Sequence, residues 1–211
     1  MIGLFGGTFD PVHFGHLRPA VEVREALQLD ELRLVPCGVP GHRAPPLASA
    51  EQRLAMLRAA IQGVAGLRVD TREIAKPTPC YSVETLEALR QQYPGRPLVL
   101  VIGMDAFATL DNWHRWRDIP RLAHLVVAHR PGWQADDLYG HPRLGPLLQA
   151  GYCEQVAALR RQVAGRIFFQ PVTQLDISST RIRALLAAGK DVSFLLPARV
   201  IEVIQQQRIY S

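Results

Sequence analysis

Lysine is nearly missing from this 211-residue sequence: Lys76 and Lys190 are the only two, and arginine supplies the rest of 24 basic residues against 19 acidic ones. The net charge of +5 is scattered, with no block of one sign. That argues against a nucleic-acid-binding tail and points to small anions as partners. Cysteine is scarce as well. Cys37, Cys80 and Cys153 are odd in number, far apart in sequence and without a CxxC pair. Such usage favours reduced thiols in a reducing compartment over a disulfide framework or a zinc site. No apolar run approaches the length needed to span a bilayer. No basic region precedes the apolar residues 1–5, so no secretory leader is expected there. These absences lead to the expectation of a cytoplasmic protein that binds neither membrane nor nucleic acid. Disorder, collagen and coiled coil are excluded by 48% hydrophobic and 20% charged residues without repeats or low-complexity segments.

What is present fits one domain over residues 1–211, large enough to bury a full core. Short apolar runs alternate with segments of helical period. Strands are expected at 1–5, 32–35, 67–69, 98–102, 122–128 and 167–169. The continuous apolar run 98–102 marks a strand covered on both faces. Helices are expected over 17–27, after an N-cap at Ser49, from Ser82, over 152–164, over 180–188 and from Pro197. Gly189 is a plausible stop for the fifth of these. The Pro- and Gly-rich stretch 130–151 reads as a surface excursion. The alternation predicts an α/β fold: a Rossmann-like open parallel sheet with helices on both faces, and a small helical carboxyl-terminal portion over about 178–211. In such sheets ligands bind beyond the carboxyl ends of the strands, so the loops 6–16, 103–116 and 171–183 carry the interest.

The first of these loops reads Gly6-Gly7-Thr8-Phe9-Asp10-Pro11-Val12-His13-Phe14-Gly15-His16. Gly6 and Gly7 allow close backbone approach and offer amide donors. His16 falls at the start of a helix, where free amides and the dipole favour an anion. Together with His13 it could hold a phosphate as a hydrogen-bond donor. A Gly-Gly pair is often only a tight turn, and two histidines three apart can be metal ligands. Asp10 is the only acidic residue nearby, and the following Pro11 suggests a turn role for it. Neither GxxxxGK[ST] nor, after the first strand, GxGxxG is present, so this is neither a P-loop nor a dinucleotide fingerprint. In the third loop, Ser178, Ser179 and Thr180 can cap a helix whose first-turn amides bind phosphate, and Arg181 adds a planar cation. An ordinary N-cap with a solvent-facing arginine is the commoner meaning of such a string.

The two loops together change that balance. His13-Phe14-Gly15-His16 resembles the HxGH signature of the nucleotidyltransferase superfamily, and Ile177-Ser178-Ser179-Thr180-Arg181-Ile182-Arg183 resembles its second signature. Further motifs are similar to those of the bacterial nicotinate-nucleotide adenylyltransferase family. They are the stretch Pro79-Cys80-Tyr81-Ser82-Val83-Glu84-Thr85-Leu86, the turn Ile102-Gly103-Met104-Asp105, and the aromatic segment Trp113-His114-Arg115-Trp116. Gly41-His42-Arg43 is similar to a loop that in the family carries proline and lysine at the first and third places, and Ser82 stands where threonine is usual.

The resemblance implies transfer of AMP from ATP to nicotinate mononucleotide, giving deamido-NAD and pyrophosphate, by direct in-line attack. It implies His13, His16 and Arg181 as catalytic residues. ATP would be bound by Gly6, Gly7, Thr8, Phe9, His13, His16, Gly103, Asp105, Ile177, Ser178, Ser179 and Arg181. The mononucleotide would be bound by His42, Arg43, Ser82, Trp113 and His114, with Trp113 stacked on the pyridine ring. Mg²⁺ would arrive with ATP, and no metal site of the protein's own is expected. Most tryptophans are core residues, which is the plain alternative for Trp113 and Trp116. His124 and His129 read as structural. Rival readings are another adenylyl- or cytidylyltransferase on this scaffold, a non-catalytic nucleotide sensor, and a metal hydrolase using His13 and His16.

Overall fold

The computed structural model describes residues 1–40, 45–130 and 136–210. Six parallel strands form the main sheet: β1 (Ile2–Gly7), β2 (Glu31–Pro36), β4 (Leu67–Val69), β6 (Leu98–Gly103), β7 (His124–His129) and β8 (Ile167–Pro171). Their order across the sheet is β4-β2-β1-β6-β7-β8. Two short strands, β3 (Val39–Pro40) and β5 (Pro79–Cys80), pair in parallel as a separate ribbon. The register in the sheet's centre places Ile2 beside Leu98 and Val99 beside His124.

Side chains alternate across this sheet and divide the core in two. Leu98, Leu100, Ile102, Leu125 and Val127 face one layer, with Val83, Leu86 and Leu89 of α3 (Ser82–Gln92). Val99, Val101, Val126 and Ala128 face the other. That second layer takes Leu17, Ala20 and Val23 of α1 (Phe14–Ala26) and Met56 and Leu57 of α2 (Ala50–Ile61). It also takes Ile182 of α9 (Ser179–Ala187) and Val200 and Ile204 of α10 (Ala198–Gln206). Burying each such aliphatic side chain is worth roughly 1.5–3 kcal/mol. The apolar run 98–102 is thus covered on both faces, as its composition requires. The expected caps hold: Ser49 accepts from the Gln52 amide at 3.2 Å, and α10 begins just after Pro197. Among the described residues no helix is long and apolar enough to cross a membrane.

Two expectations fail. The stretch 130–151 is not wholly a surface excursion: α6 (Asp136–Tyr139) and α7 (Leu144–Gly151) lie within it, and Leu144 and Leu148 are fully buried in the α3-side core. Spacing of four puts both leucines on one helical face despite the breakers around them. The helix expected over 152–164 shrinks to α8 (Ala157–Arg160). Tyr152 bridges to Ile167, and the Cys153 amide donates to the Ile167 carbonyl at 2.9 Å, so the edge of β8 holds that segment extended.

At the amino-terminal end of the sheet one side chain gathers several loops. The Arg90 guanidinium donates to the carbonyls of Leu122 (2.6 Å), Val163 (2.8 Å), Arg96 (2.8 Å) and Tyr93 (3.1 Å). The opposite end, where the strand order reverses between β1 and β6, is left open.

Candidate active site

That reversal creates a crevice at the carboxyl ends of the two strands. A cavity of about 510 Å³ opens there. Gly6, Gly7 and Thr8 line it from the end of β1, Gly103 from the end of β6, and Ser82, Trp113 and His114 from the facing loops. This size is ordinary for a small-molecule site.

Beside the cavity the first loop turns into α1. His13 is the N-cap residue, and its backbone N–H donates to Nδ1 of His16 at 3.3 Å. An accepting Nδ1 leaves the proton of His16 on Nε2, available as a donor. The two imidazoles lie close together, centroids 3.8 Å apart and planes tilted by 30°. The Phe9 ring, buried beneath Gly7, meets His16 edge-on at 5.1 Å. Burial lowers the pKa of His13 to about 4. Burial, and then the neighbouring His13, lower that of His16 to about 3. Both rings are therefore neutral near pH 7. His13 Nδ1 is buried without a hydrogen-bond partner among the described residues, an orphan of the kind that marks functional sites.

The second motif packs directly on the first. A Cβ at Gly15 would lie 2.9 Å from His13 Nδ1 and 3.2 Å from the Ile177 carbonyl, so only glycine lets the two loops close to this distance. Ser179 Oγ donates to the Pro11 carbonyl at 3.0 Å, and Arg183 donates to the Asp10 carbonyl at 2.7 Å. Ser178 caps α9 by accepting from the Arg181 amide at 3.2 Å. The Ser179 hydroxyl is thereby committed to the framework, and the backbone amides of the first turn are what α9 offers an anion. The Arg181 side chain is exposed and has no acidic partner among the described residues. The Asp10 carboxylate accepts from the amides of Leu47 (2.9 Å) and Ala48 (3.1 Å) and from the Tyr210 hydroxyl (2.5 Å). It is a tether for the loop, in keeping with the turn role read from Pro11.

On the other side of the cavity the two tryptophans part. Trp116 is buried in the core, whereas Trp113 is half-buried and lines the cavity. The rings of Tyr81 and His114 stack with centroids 4.4 Å apart. Ser82 is the first residue of α3, so its backbone N–H has no helical acceptor. Asp105 is exposed in the first turn of α4 (Met104–Ala108), next to Gly103. His42 and Arg43 lie outside the described residues. His124 is structural as expected: its Nε2 meets the Gln162 carbonyl at 3.0 Å, and its Nδ1 accepts from the Arg166 amide at 3.0 Å.

The placement of four residues at this cavity escapes a reading of the sequence. Arg53 of α2, 2% exposed, donates to the carbonyls of Thr8 (2.9 Å), Cys37 (2.6 Å) and Gly38 (3.3 Å). It thus ties the loop after β1 to the loop after β2. Nothing local distinguishes it from a surface arginine. Glu73 lines the cavity and accepts from Thr85 Oγ1 at 2.6 Å. Cys37 and Cys80, remote in sequence, are brought to the same wall by the β3–β5 pairing. With Glu73 they are the one group of three His, Cys, Asp or Glu side chains among the described residues with ligand atoms all within 4.8 Å of one another. Their separation in sequence therefore does not speak against a metal site.

Comparison with known proteins agrees with this geometry. A cytidylyltransferase-like family model matches residues 4–185. A protein of Aeromonas salmonicida named "Probable nicotinate-nucleotide adenylyltransferase" is 48% identical over 99% of this chain and 96% of its own length. A relative of the same name from Methylococcus capsulatus is 44% identical over the whole of both chains. Among solved structures, the nicotinic acid mononucleotide adenylyltransferase of Plasmodium falciparum, complexed with NaAD, superposes with a TM-score of 0.72. It covers 99% of this chain and 96% of its own at 15% identity, a likeness of fold.

Proposed function

This chain belongs to the cytidylyltransferase-like family as a nicotinate-nucleotide adenylyltransferase, and on that premise we propose how its residues divide the work. The reaction moves the adenylyl group of ATP onto the phosphate of nicotinate mononucleotide and releases pyrophosphate. The nucleophile is already an anionic oxygen, so no general base is needed. Rate must come from in-line positioning and from donors aimed at charge on the transferring and leaving phosphates.

In this reading Gly6, Gly7 and Thr8 present backbone to the nucleotide, and Phe9 backs the His16 ring. His13 and His16 donate to the ATP phosphates. The amides of Ser178, Ser179 and Thr180, with the Arg181 guanidinium, hold the β/γ end, and Ile177 fixes that turn against Gly15. Gly103 and Asp105 receive a ribose. The single observation that carries this assignment is the contact of the two motifs at Gly15 and Ile177 beside the cavity. Across it, Trp113 stacks on the pyridine ring, and the amides of Ser82 and His114 receive its carboxylate. A carboxylate accepts only, so amide donors favour it over a carboxamide. His42 and Arg43 hold the mononucleotide phosphate.

The cation fits as a companion of substrate. The Asp10 carboxylate accepts from two amides and a phenol and lies 3.8 Å from the Arg183 guanidinium, so it is engaged in holding the loop rather than an ion. Mg²⁺ would be held by phosphate oxygens and water, neutralising their charge. Residues 1–211 act as one domain, because α9 and α10 share the core layer of the sheet. We assign the protein to the cytoplasm, in keeping with its unpaired cysteines.

The test is pyrophosphate release with ATP and Mg²⁺, comparing nicotinate mononucleotide with its amide analogue. Strong preference for the acid is expected. Equal rates would overturn the account of the Ser82/His114 amides, and no release with either would overturn the assignment.

A further inference from the structure

The wall of the cavity formed by Cys37, Glu73 and Cys80 carries chemistry that adenylyl transfer does not use. The Sγ atoms of both cysteines and a Glu73 carboxylate oxygen lie within 4.8 Å of one another. Glu73 is buried, and among the described residues it has no ion-pair partner; Lys76 pairs instead with Glu84 at 3.3 Å. Its one hydrogen-bond donor is the neutral hydroxyl of Thr85. A buried carboxylate beside two thiols, with Lys76, Arg72 and the buried Arg53 near it but none of them ion-paired to it, is a donor-rich corner open to a cavity.

The corner is also held in place. A Cβ at Gly38 would fall 2.3 Å from the Glu73 carbonyl, so glycine alone lets the strand after Cys37 press against the Glu73 turn. The Cys80 thiol donates to that same carbonyl at 3.3 Å. Arg53 fixes the Cys37 carbonyl from behind at 2.6 Å. These constraints come from three elements and converge on the same corner.

We propose that Cys37, Cys80 and Glu73 form a three-ligand site for a soft divalent cation of the zinc and cadmium class, with its fourth position open to the cavity. Sulfur ligands select such ions over magnesium. Zinc–sulfur bonds of about 2.3 Å put two thiolates of a tetrahedral site about 3.8 Å apart, so the present spread needs only a small contraction. Binding displaces the two thiol protons to solvent and involves no redox change. A cation seated here projects toward the space that Trp113 and Ser82 also line, so it excludes the pyridine nucleotide. That consequence rests on the functional reading above; the site itself does not.

The experiment is a Cd²⁺ titration of the intact protein, followed by thiolate-to-metal charge-transfer absorption. The expected result is a band that saturates at one ion per chain. It persists in Cys153→Ser, is lost in Cys80→Ser, and is weakened at least tenfold in affinity in Glu73→Gln. No saturating band, or one unchanged in both Cys80→Ser and Cys37→Ser, overturns the site. Saturating nicotinate mononucleotide should raise the apparent Kd for Cd²⁺ at least tenfold. An unchanged Kd, with mononucleotide binding confirmed by calorimetry, overturns the open position toward the cavity. Failure of the mononucleotide to bind counts against the proposed function instead, and the cadmium titration still decides the site.

Discussion

On the side of the crevice formed by the two loop motifs, the groups that would meet substrate are held by a framework bonded to itself. His16 accepts from the His13 amide, Ser178 caps α9, and Ser179 and Arg183 are fixed on the loop carbonyls of Pro11 and Asp10. The opposite side is a cavity of about 510 Å³ lined by Trp113 and the stacked rings of Tyr81 and His114. Charge on phosphate calls for donors that need not reorganise, and a fixed framework supplies them. Discrimination between flat rings calls for shape and a few amides, and a cavity supplies those. The difference teaches that rate and choice of acceptor are separable by mutation.

The largest effect should come from the fixed side. His16→Ala is expected to lower kcat about a hundredfold or more, the usual cost of removing one transition-state donor. A melting temperature near that of the native protein would show that the fold survives. A change confined to KM for the mononucleotide would place His16 on the wrong side of the comparison.

Arg53 joins the two sides, so its replacement should blur them. Arg53→Met leaves the carbonyls of Thr8, Cys37 and Gly38 without their donor and should cost about 3 kcal/mol in urea unfolding. KM should rise for both substrates; a rise for one alone would mean the two loops are positioned independently.

Trp113→Ala sharpens the comparison from the other side. Losing a stacking face is worth roughly tenfold in KM for nicotinate mononucleotide, while KM for ATP stays within about twofold. Equal changes in both constants would make Trp113 a core residue like Trp116.

A last prediction, small at any one pH, concerns the acid range. His13 titrates near 4 when folded and near its ordinary 6.5 when unfolded. Its contribution is therefore intact above pH 6.5 and is lost as pH falls toward 4, because only the unfolded chain takes up the proton. His13→Asn should flatten the stability curve in that window by about 1 kcal/mol per pH unit. An unchanged slope would mean that the imidazole is not desolvated.

Much of this architecture is legible in the sequence where the signal is local. The run 98–102 marks a doubly covered strand because its burial leaves no room for polar residues. The loops 6–16 and 177–183 can be read because each follows a strand and opens a helix. Legibility ends where partners are distant. Leu144 and Leu148 sit among prolines and glycines that read as breakers, and only the core they fill identifies α7. Residues 152–164 have a helical pattern, but pairing with Ile167 overrides it. Arg53 has an unremarkable sequence setting, since its acceptors come from two loops far along the chain. The meeting of Cys37 with Cys80 depends on a two-residue ribbon that no periodicity announces.

The Arg90 cluster at the back of the sheet has a mechanical consequence. One guanidinium grips the connections that lead into β6, β7 and β8, so none of the three can shift without pulling on the others. The starts of these three strands are thus fixed to one another at the end of the sheet remote from the crevice, by a side chain that takes no part in lining it.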